Sequence, residues 1–482
     1  MGRLSSCKNS TTPLQKSLRV HRGGARSAQK TRRFSPESLC ELRASAVKFS
    51  FSLGSPMNPP IATLQSLYVQ FTAAFPDRLT GPRAIGREAE HPLVDAKGAF
   101  VDVSELLPQL AAPGDLTPKY DAAYPDQLVG LSGHDFSYAL EVGRGTIEIN
   151  TRPCADLFQV EQCYRAALTR LQQAADPRDW RVLGYGIQPV SPPSLPLLTP
   201  KQRYEALLER MGDEWFWYAV TASDQTQIDI ARPELLTQLN TGLLMAPVII
   251  ALCANSPVVG GRLLGFASSR EGHMCSTTPF DQRHGMPVTA YDSIEEFITR
   301  LTKLDVLLRR EGARLLPDWG HFDEKMRASQ VDFDDFLLHD HYIWHSARLR
   351  TAYATVELRP ACQQPGDESM AACALCLGLI EAVETIHAFV AERLGPNYWL
   401  RMHSWHRRVI TSGLAAPEPV EGFLAEISRL AEDAVTARGF GEEAYFAPLW
   451  RRLDKKENPA QTARRVFLDS GMEGLLEYAQ VK

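Results

Sequence analysis

The sequence GREAE at residues 86–90 is typical of a β-strand that carries both of its glutamates on one face. Successive side chains of a strand point to opposite faces, so Glu88 and Glu90 lie on one side and Arg87 and Ala89 on the other. A single segment of this kind is usually the solvated face of a sheet. Its meaning therefore depends on whether other segments of the chain repeat the pattern.

Three later segments repeat this division into an apolar and a polar face: TIEIN at 146–150, QTQIDI at 225–230 and TVELR at 355–359. Their polar faces hold Glu148 and Asn150, then Gln225, Gln227 and Asp229, and finally Glu357 and Arg359. Four such strands predict a sheet with helices on its apolar side and a concave polar surface on the other. Because the strands interleave with helices and the last third of the chain is helical, the fold class is predicted to be α+β.

The predicted polar surface has the chemistry of a cation site. Carboxylates at close quarters repel one another unless cations lie between them. Magnesium prefers hard oxygen ligands and is usually held by a few carboxylates together with substrate phosphates. Arginines on the same surface would neutralise charge that develops on a transferring phosphoryl group.

A set of short motifs, some of them on these strands, occurs in a fixed order between about residues 80 and 365. They are Gly86, Glu88 and Glu90; Arg203-Tyr204; Thr221, Ser223, Gln225 and Asp229; Ala254-Asn255-Ser256-Pro257; Ser269-Arg270; Asp281, Arg283 and Gly285; and Trp344, Arg348, Thr355, Glu357 and Arg359. Each motif alone has little specificity, whereas the ordered set is specific. The set resembles the glutamate–cysteine ligases of the plant and proteobacterial type and the related carboxylate–amine ligases.

The resemblance implies a glutamine-synthetase-like fold, in which an antiparallel sheet forms a metal-lined funnel with helices on its outer face. It also implies a reaction with Mg²⁺ and ATP. ATP would phosphorylate the γ-carboxylate of glutamate, and the amine of cysteine would attack the acyl phosphate to give γ-glutamylcysteine. Phosphorylation supplies the leaving group that a carboxylate lacks, and the protein contributes mainly positioning and electrostatics.

The resemblance also implies a role for individual residues. Magnesium would be held by Glu88, Glu90, Glu148, Glu357 and, more weakly, Gln227. Arg348 and Arg359 would face the phosphates, whereas Arg270, Arg283, Gln225 and Asp229 would bind substrate.

Three departures from the family pattern leave the accepting amine open. Met274 stands near a position that is often Trp, His91 follows Glu90 where an acidic or aromatic residue is usual, and Pro360-Ala361-Cys362 replaces a common Asp after the last strand. An amine other than cysteine is therefore the main alternative. A non-catalytic protein that kept the fold and a guanidino-phosphotransferase are weaker alternatives, and a monomer or a homodimer is expected.

The chain of 482 residues is predicted to have three parts. Residues 1–56 form a basic leader, residues 57–365 a catalytic domain, and residues 366–482 a helical part packed on that domain. Within the catalytic part, residues 61–75 and 293–312 are predicted to be helical. The Pro-, Gly- and Asp-rich stretch 111–135 is predicted to be a long loop or lid.

Charge separates the leader from the rest of the chain. Residues 1–56 contain eleven Lys and Arg and two acidic residues, a net charge of +9, so the remainder carries −14 of the total of −5. An acidic body is a poor general binder of nucleic acid. The Ser-rich leader lacks a secretory core and is either a plastid or mitochondrial transit peptide or an over-extended gene start before Met57. The location is accordingly predicted to be cytoplasmic or, with a transit peptide, an organelle.

The longest apolar run, Leu243–Ala254, is too short to span a bilayer and is predicted to be a buried helix. No membrane association is therefore expected. The nine cysteines have no framework spacing, and the pair Cys373 and Cys376 lies in an apolar run, which favours a core position over a redox role.

Two further patterns are assigned structural roles. The histidines His339, His341 and His345 lack the companions of a closed tetrahedral metal site and are expected in a loop or behind the site. The basic and aromatic segment 402–408 is expected to be a surface helix rather than a nucleic-acid contact.

Overall fold

The computed structural model describes residues 60–275 and 280–482, so the predicted leader lies outside the described residues. The strands are β1 Ile85–Val94, β2 Thr117–Tyr120, β3 Leu128–Ser132, β4 Phe136–Leu140, β5 Thr146–Thr151, β6 Arg181–Val182, β7 Asp224–Asp229, β8 Val258–Val259, β9 Arg262–Leu263, β10 His284–Gly285, β11 Leu308–Glu311, β12 Arg314–Pro317, β13 Trp344–His345, β14 Ala347–Arg350 and β15 Thr355–Leu358.

The helices surround one sheet. They are α1 Leu64–Ala73, α2 Leu107–Ala111, α3 Leu157–Ala175, α4 Gln202–Met211, α5 Leu235–Cys253, α6 Ser269–Met274, α7 Ile294–Thr302, α8 Phe322–Arg327, α9 Phe333–His341, α10 Ala371–Glu381, α11 Val383–Leu394, α12 Tyr398–Ser412, α13 Phe423–Ala437, α14 Ala447–Lys455 and α15 Pro459–Ala479.

The main sheet has the strand order β14-β15-β7-β1-β5-β4-β3-β2, with β6 paired to the far end of β1. All of its pairings are antiparallel. The register aligns the four predicted polar faces, because Glu88 lies opposite both Asn150 and Gln225, and Glu357 lies opposite Gln227. The predicted α+β class and the predicted common polar surface are therefore confirmed.

The opposite face of the sheet is buried under helices. Its side chains include Ile85, Ala89, Ile147, Ile149, Ile228, Val356 and Leu358, all fully buried. Helix α5 packs on β14 and β15, and α10 packs on β7 and α5. Burial of these aliphatic side chains supplies the main stabilisation of the layer, at roughly 1.5–3 kcal/mol for each.

One ion pair is buried in this apolar layer. Arg87 donates from Nε and Nη2 to both carboxylate oxygens of Asp224, at 2.7 and 2.8 Å, and Nη2 also donates to the Ser369 carbonyl at 2.8 Å. The guanidinium lies 4.0 Å from the centre of the Tyr164 ring. Both charges are paired and hydrogen-bonded, which is the condition for tolerating them in a core. The pair also ties β1 and β7 to the residues that precede α10.

Two predicted elements differ from the structure. Residues 111–135 contain β2 and β3, the outer strands of the sheet, rather than a continuous loop. Every residue of β2 is exposed, so the alternation that identifies a half-buried strand is missing there. The predicted helix 293–312 ends at Thr302, and the rest of it forms the hairpin β11–β12, which turns at Gly312 with φ of 60°.

The described residues after 366 share the core of the preceding part. Side chains of α10 and α12 lie in one apolar cluster with those of α1, α5 and β15. Cys373 and Cys376 are fully buried in α10, as predicted, and burial raises the pKa of both thiols. The prediction of a surface helix at 402–408 was wrong in part, because Met402, Trp405 and His406 face the core and only one side of α12 is exposed.

Among the described residues, the segment Arg232–Cys253 is long and apolar enough to cross a bilayer by length and composition. Of its most apolar window, 83% is buried inside the protein. It contains nearly all of the apolar run predicted to be a buried helix, and it begins with one turn of 3₁₀-helix at Arg232–Glu234. A bent pair of helices, Gly366–Glu381 with Val383–Leu394, passes the same test only when counted as one span.

Candidate active site

Three carboxylates meet at one end of the polar face. Glu90 of β1 lies directly opposite Glu148 of β5, and Glu141 follows the end of β4. Each of the three offers an oxygen, and these oxygens all lie within 4.8 Å of one another. Because β1, β5 and β4 are adjacent strands, the sheet itself holds the three carboxylates together.

The metal-free form of this cluster is electrostatically unfavourable when it is fully ionised. Burial, followed by the charge of Glu141, raises the pKa of Glu90 to about 7. Burial and the same neighbour raise the pKa of Glu148 well above its usual value. The backbone N–H of Ser223 and the amide of Gln225 donate to Glu90 at 2.7 and 3.1 Å, and Asn150 donates to Glu148 at 2.6 Å.

Glu88 lies in the middle of the polar face, between the carboxylate cluster and the arginines. It accepts a hydrogen bond from Gln227, whose side-chain oxygen accepts from the Thr355 hydroxyl at 3.1 Å. Burial, followed by the charge of Glu357, raises the pKa of Glu88. The predicted metal ligands Glu88 and Gln227 therefore form a direct pair on this surface.

Glu357 lies among three arginines at the other end of the face. Arg348 and Arg359 donate to Glu357 Oε2, the latter at 2.8 Å, and Arg350 Nε lies 3.9 Å from Oε1. Burial alone would raise the pKa of Glu357, but the three guanidinium groups hold it well below its usual value. Arg359 also donates to Gln225, so it bridges β15 and β7. Among the described residues, the buried Oε1 of Glu357 has no hydrogen-bond partner.

The donor set fits magnesium. The carboxylates are hard oxygen ligands, and a cation among Glu90, Glu141 and Glu148 would remove the repulsion that raises their pKa values. The unpartnered oxygen of Glu357 is a further available ligand atom. Glu90, Glu141 and Glu148 could therefore hold Mg²⁺ on this sheet face.

The predicted substrate-binding arginines occupy different environments. Arg270, at the start of α6, donates to Glu271, and its charge lowers the pKa of the nearby Glu90. Arg283 is only 3% exposed and donates to the backbone carbonyls of Tyr342, at 2.9 Å, and of Asp305. Arg270 thus lies beside the polar face, whereas the prediction that Arg283 grips a substrate carboxylate does not match its engaged, buried guanidinium.

The predicted substrate-binding residues of β7 share the polar face. Gln225 contacts Glu90, and Asp229 lies at the end of the strand opposite Thr355. Asp229 is therefore at the margin of the face, away from the carboxylate cluster.

Sequence reasoning missed several residues of the site. Arg350 lies two positions after Arg348 on β14, so strand alternation could have revealed it. Glu141 could not have been found in this way, because it lies beyond the end of its strand. The buried amine of Lys201 lies near Glu141 and Glu148, and burial, followed by the neighbouring Arg203, lowers its pKa to about 7.

Aromatic side chains form a wall next to the arginines. His284 stacks on Trp344 with ring centres 5.2 Å apart and an angle of 11° between the planes. The Tyr218 hydroxyl is 2.7 Å from His284 Nε2, and burial, followed by His345 and the nearby arginines, lowers the pKa of His284 well below its usual value. This wall supplies flat apolar surface beside a cationic region.

Three histidines singled out in the sequence contact the backbone near the site. His339 Nε2 is 2.9 Å from the Leu301 carbonyl, His345 Nε2 is 3.1 Å from the Gln282 carbonyl, and the backbone carbonyl of His341 accepts a hydrogen bond from Arg348 at 2.9 Å. His91 belongs to the helix side of the sheet, where it contacts Tyr164 and Leu183. This departure from the family pattern therefore lies on the side of the sheet opposite the polar face.

Comparison with known proteins gives three kinds of similarity. The profile of a family described as glutamate-cysteine ligase family 2 matches residues 106–476. The chain is 28% identical to the chloroplastic glutamate–cysteine ligase of Medicago truncatula over 202 residues, which are 40% of this chain and 38% of that protein. It is 22% identical to the Brassica juncea protein of the same name over 362 residues, 71% of this chain and 69% of that protein.

A solved structure shares the fold. The crystal structure of glutamate–cysteine ligase from Francisella tularensis in complex with AMP aligns with 84% of this chain and 88% of its own, with a TM-score of 0.52 and 12% identity. At this identity the likeness concerns the fold alone. It supports the antiparallel sheet with outer helices that the sequence predicted.

Proposed function

The chain belongs to glutamate-cysteine ligase family 2, and from this premise we propose that it joins the γ-carboxylate of glutamate to an amine at the expense of ATP. Cysteine is the first choice for the amine, which would give γ-glutamylcysteine. The family and the relatives' names support a ligase. The choice of glutamate and cysteine is our proposal.

The observation that carries the proposal is the pairing of two charge regions on one sheet face. Glu90, Glu141 and Glu148 form an acidic region, and Arg348, Arg350 and Arg359 form a basic region around Glu357. Phosphoryl transfer from ATP to a carboxylate brings several anionic oxygens together. A surface that offers cation ligands beside fixed guanidinium groups suits that requirement.

The proposed magnesium ligands are Glu90, Glu141 and Glu148 in the acidic region, Glu88 and Gln227 towards the centre of the face, and Glu357 in the basic region. When bound, Mg²⁺ would neutralise charge on the phosphate oxygens. The protein's own contribution is to hold these ligands in place through Ser223, Gln225 and Asn150.

In the basic region, Arg348 and Arg359 are proposed to face the transferred phosphoryl group. A γ-carboxylate oxygen of glutamate would form a bond to the terminal phosphorus while the bond to ADP breaks. The amine nitrogen would then attack the acyl carbon, phosphate would leave with the electron pair, and the amine would lose a proton. Both arginines are anchored by Glu357, so their donors are oriented before substrate binds.

Arg270 is proposed to bind the α-carboxylate of an amino-acid substrate. Its present partner is Glu271, and a substrate carboxylate would compete for the same guanidinium. Arg270→Ala should raise the Michaelis constant for glutamate or the amine about tenfold, with little change for ATP. Arg283 is not proposed for this role, because its donors are engaged by backbone carbonyls.

The test is ADP release by the full-length protein with Mg²⁺, ATP and glutamate over a panel of amines, with product masses measured. We expect ADP release to require both glutamate and an amine, and the product to be a γ-glutamyl amide. The panel contains cysteine, 2-aminobutyrate, alanine and simple alkylamines. Glu148→Gln should abolish the reaction, whereas Glu426→Gln, on the outer side of α13 where Glu426 pairs with Arg429, should not.

The outcomes separate the alternatives. Because Met274 replaces a bulky aromatic residue of the family pattern, we expect measurable activity with 2-aminobutyrate as well as cysteine. If only amines without a carboxylate are accepted, the second substrate is not cysteine. Arg270 then cannot bind the α-carboxylate of that substrate. ADP release without any amine, or no release with any, would contradict the proposed ligase.

A further inference from the structure

A second group of ligating side chains lies outside the oxygen-lined polar face. Glu271 of α6, Cys275 just after that helix and His406 of α12 each offer one ligand atom, and these atoms lie within 4.8 Å of one another. Cys275 Sγ is 3.9 Å from Glu271 Oε2. Two elements far apart in sequence therefore converge on one small volume.

The imidazole in this group is buried and unused. His406 is only 3% exposed, and among the described residues its Nε2 has no hydrogen-bond partner. A buried polar atom without a partner costs about 1–3 kcal/mol, so it calls for a ligand or another explanation. Burial lowers the pKa of His406 to about 3, which leaves a neutral ring with a free lone pair at neutral pH.

The backbone beside the group is shaped to let the thiol and the imidazole approach. Gly285 has φ of 67°, and a Cβ built on it would lie 2.8 Å from Cys275 Sγ and 3.1 Å from His406 Cε1. Only glycine leaves space for both side chains there. Cys275 is half-buried as a residue, and burial, followed by the charge of Glu271, raises the pKa of its thiol.

We propose that Glu271, Cys275 and His406 form a binding site for a borderline divalent metal ion, with Zn²⁺ as the best match. Sulfur, imidazole nitrogen and carboxylate oxygen are the three ligand types that zinc takes in proteins, whereas magnesium avoids sulfur. Tetrahedral bonds of about 2.0–2.3 Å place neighbouring ligand atoms roughly 3.4–3.7 Å apart. The three ligand atoms, which lie within 4.8 Å of one another, would have to move closer by only about 1 Å.

The arrangement differs from a cysteine–histidine catalytic pair. Such a pair needs a third group hydrogen-bonded to the histidine to orient it. In the described part of the chain, no hydrogen bond joins Glu271 to His406, and the carboxylate converges with the thiol instead. Three protein ligands leave a fourth position for water or another small ligand. On binding, the Cys275 thiol would release its proton to solvent.

Glu271 is also the partner of Arg270, so this site borders the proposed substrate region; its test is spectroscopic and does not require ligase turnover. Full-length protein freed of metal is titrated with Co²⁺, and the thiolate-to-cobalt charge-transfer absorption is followed. We expect one Co²⁺ per chain with this absorption, and its loss when Zn²⁺ is added. Cys275→Ser should remove the band, and His406→Gln should weaken Zn²⁺ binding by at least about tenfold. The control Cys163→Ser, a buried cysteine elsewhere, should keep the band.

A measurement on the unchanged sequence guards against variants that fail to fold. Iodoacetamide labelling of Cys275, quantified by peptide mass spectrometry, should slow at least about tenfold with Zn²⁺ and remain unchanged with Mg²⁺. Labelling that Zn²⁺ does not slow, Co²⁺ binding without a thiolate band, or a band that survives in Cys275→Ser would each overturn the proposed site.

Discussion

At the scale of single residues, Glu90 makes the metal-free protein sensitive to pH. Its pKa is raised from its ordinary 4.5 to about 7, mainly by burial. A raised pKa in the folded state means that stability is complete below the unfolded pKa and is lost as pH rises towards 7. The free energy of unfolding of metal-free wild type should therefore fall, relative to Glu90→Gln, by on the order of 3 kcal/mol between pH 4.5 and 7.5.

Urea denaturation of both proteins at several pH values, without divalent cations, measures this difference. The informative quantity is how the difference in the free energy of unfolding between the two proteins changes with pH. Its absolute size also contains a pH-independent part, because Gln keeps only one of the two acceptor oxygens of Glu90. Added Mg²⁺ should stabilise wild type more than Glu90→Gln at pH 7.5. A difference that stays flat across this range would show that Glu90 ionises normally in the fold.

Arg359 allows a test of the proposed phosphoryl contact. Arg359→Lys keeps one positive charge but loses the planar guanidinium, in which Nη1 donates to both Glu357 and Gln225 and the other N–H groups remain to bind a phosphoryl group. We expect turnover and kcat/KM to fall alike, by about 3 kcal/mol or roughly a hundredfold. Steady-state kinetics with saturating glutamate and amine measures both values.

The matched control is Arg429→Lys, at an exposed arginine of α13 paired with Glu426 and Asp433. It should leave the kinetics unchanged. Full activity of Arg359→Lys would contradict the proposed role of this guanidinium.

Residues of the site could be predicted where strand alternation fixes the direction of a side chain. Glu88, Glu90, Glu148, Gln227 and Glu357 share a face because their strands pair in the register that the polar pattern requires. Alternation does not apply outside strands. Glu141 was therefore not predicted, and the predicted substrate role of Arg283 does not match its contacts. The surroundings of both residues are set by residues far away in the sequence.

At the scale of elements, the packing of α10 against α13 depends on Gly378. A Cβ at this position would lie 2.5 Å from the backbone oxygen of Ala431, so the helices would have to separate. Gly378→Ala gains about 1 kcal/mol of helix propensity but incurs about 1–3 kcal/mol of overpacking. We expect a net loss of stability in urea denaturation, with kcat per folded molecule unchanged.

Gly81 provides the comparison, because nothing lies within 4 Å of a Cβ built there. Gly81→Ala should be neutral or slightly stabilising. Equal free energies of unfolding for the two variants would mean that α13 can move away from the added methyl group without loss of stability.

Helices and strands whose apolar residues recur at a regular spacing were predicted, and those without such a spacing were not. The inner strands β1, β5, β7 and β15 alternate between an apolar and a polar face, and α5 is a long apolar run. The exposed edge strand β2 and the short hairpin β11–β12 bury little, so their sequences carry no period to detect. Their pairing depends on neighbouring strands rather than on local pattern.

At the scale of the whole molecule, the basic leader is expected to be dispensable. Residues 1–56 have no apolar periodicity, whereas the described core begins at Ile61, whose N–H donates to the Val331 carbonyl at 2.9 Å. A protein beginning at Met57 should keep its melting temperature and its kcat.

A deletion of residues 1–73 is the matched comparison. It removes Ile61, Leu67 and Phe71, all buried, together with α1. That protein should not fold. Unfolding of the shorter deletion, as judged by circular dichroism, would contradict the assignment of the leader as separate from the domain.

The packing of the last quarter of the chain over α5 has a consequence for genetics. Arg87 donates to the Ser369 carbonyl, and α10 and α12 cover a helix that is long and apolar enough to cross a membrane. A nonsense codon between about residues 366 and 371 would remove both covering helices. Such alleles should behave as complete nulls whose products aggregate or are degraded, although none of the residues proposed for the ligation chemistry is lost. Screens that rank variants by distance from the active site would underestimate the loss of function that these alleles cause.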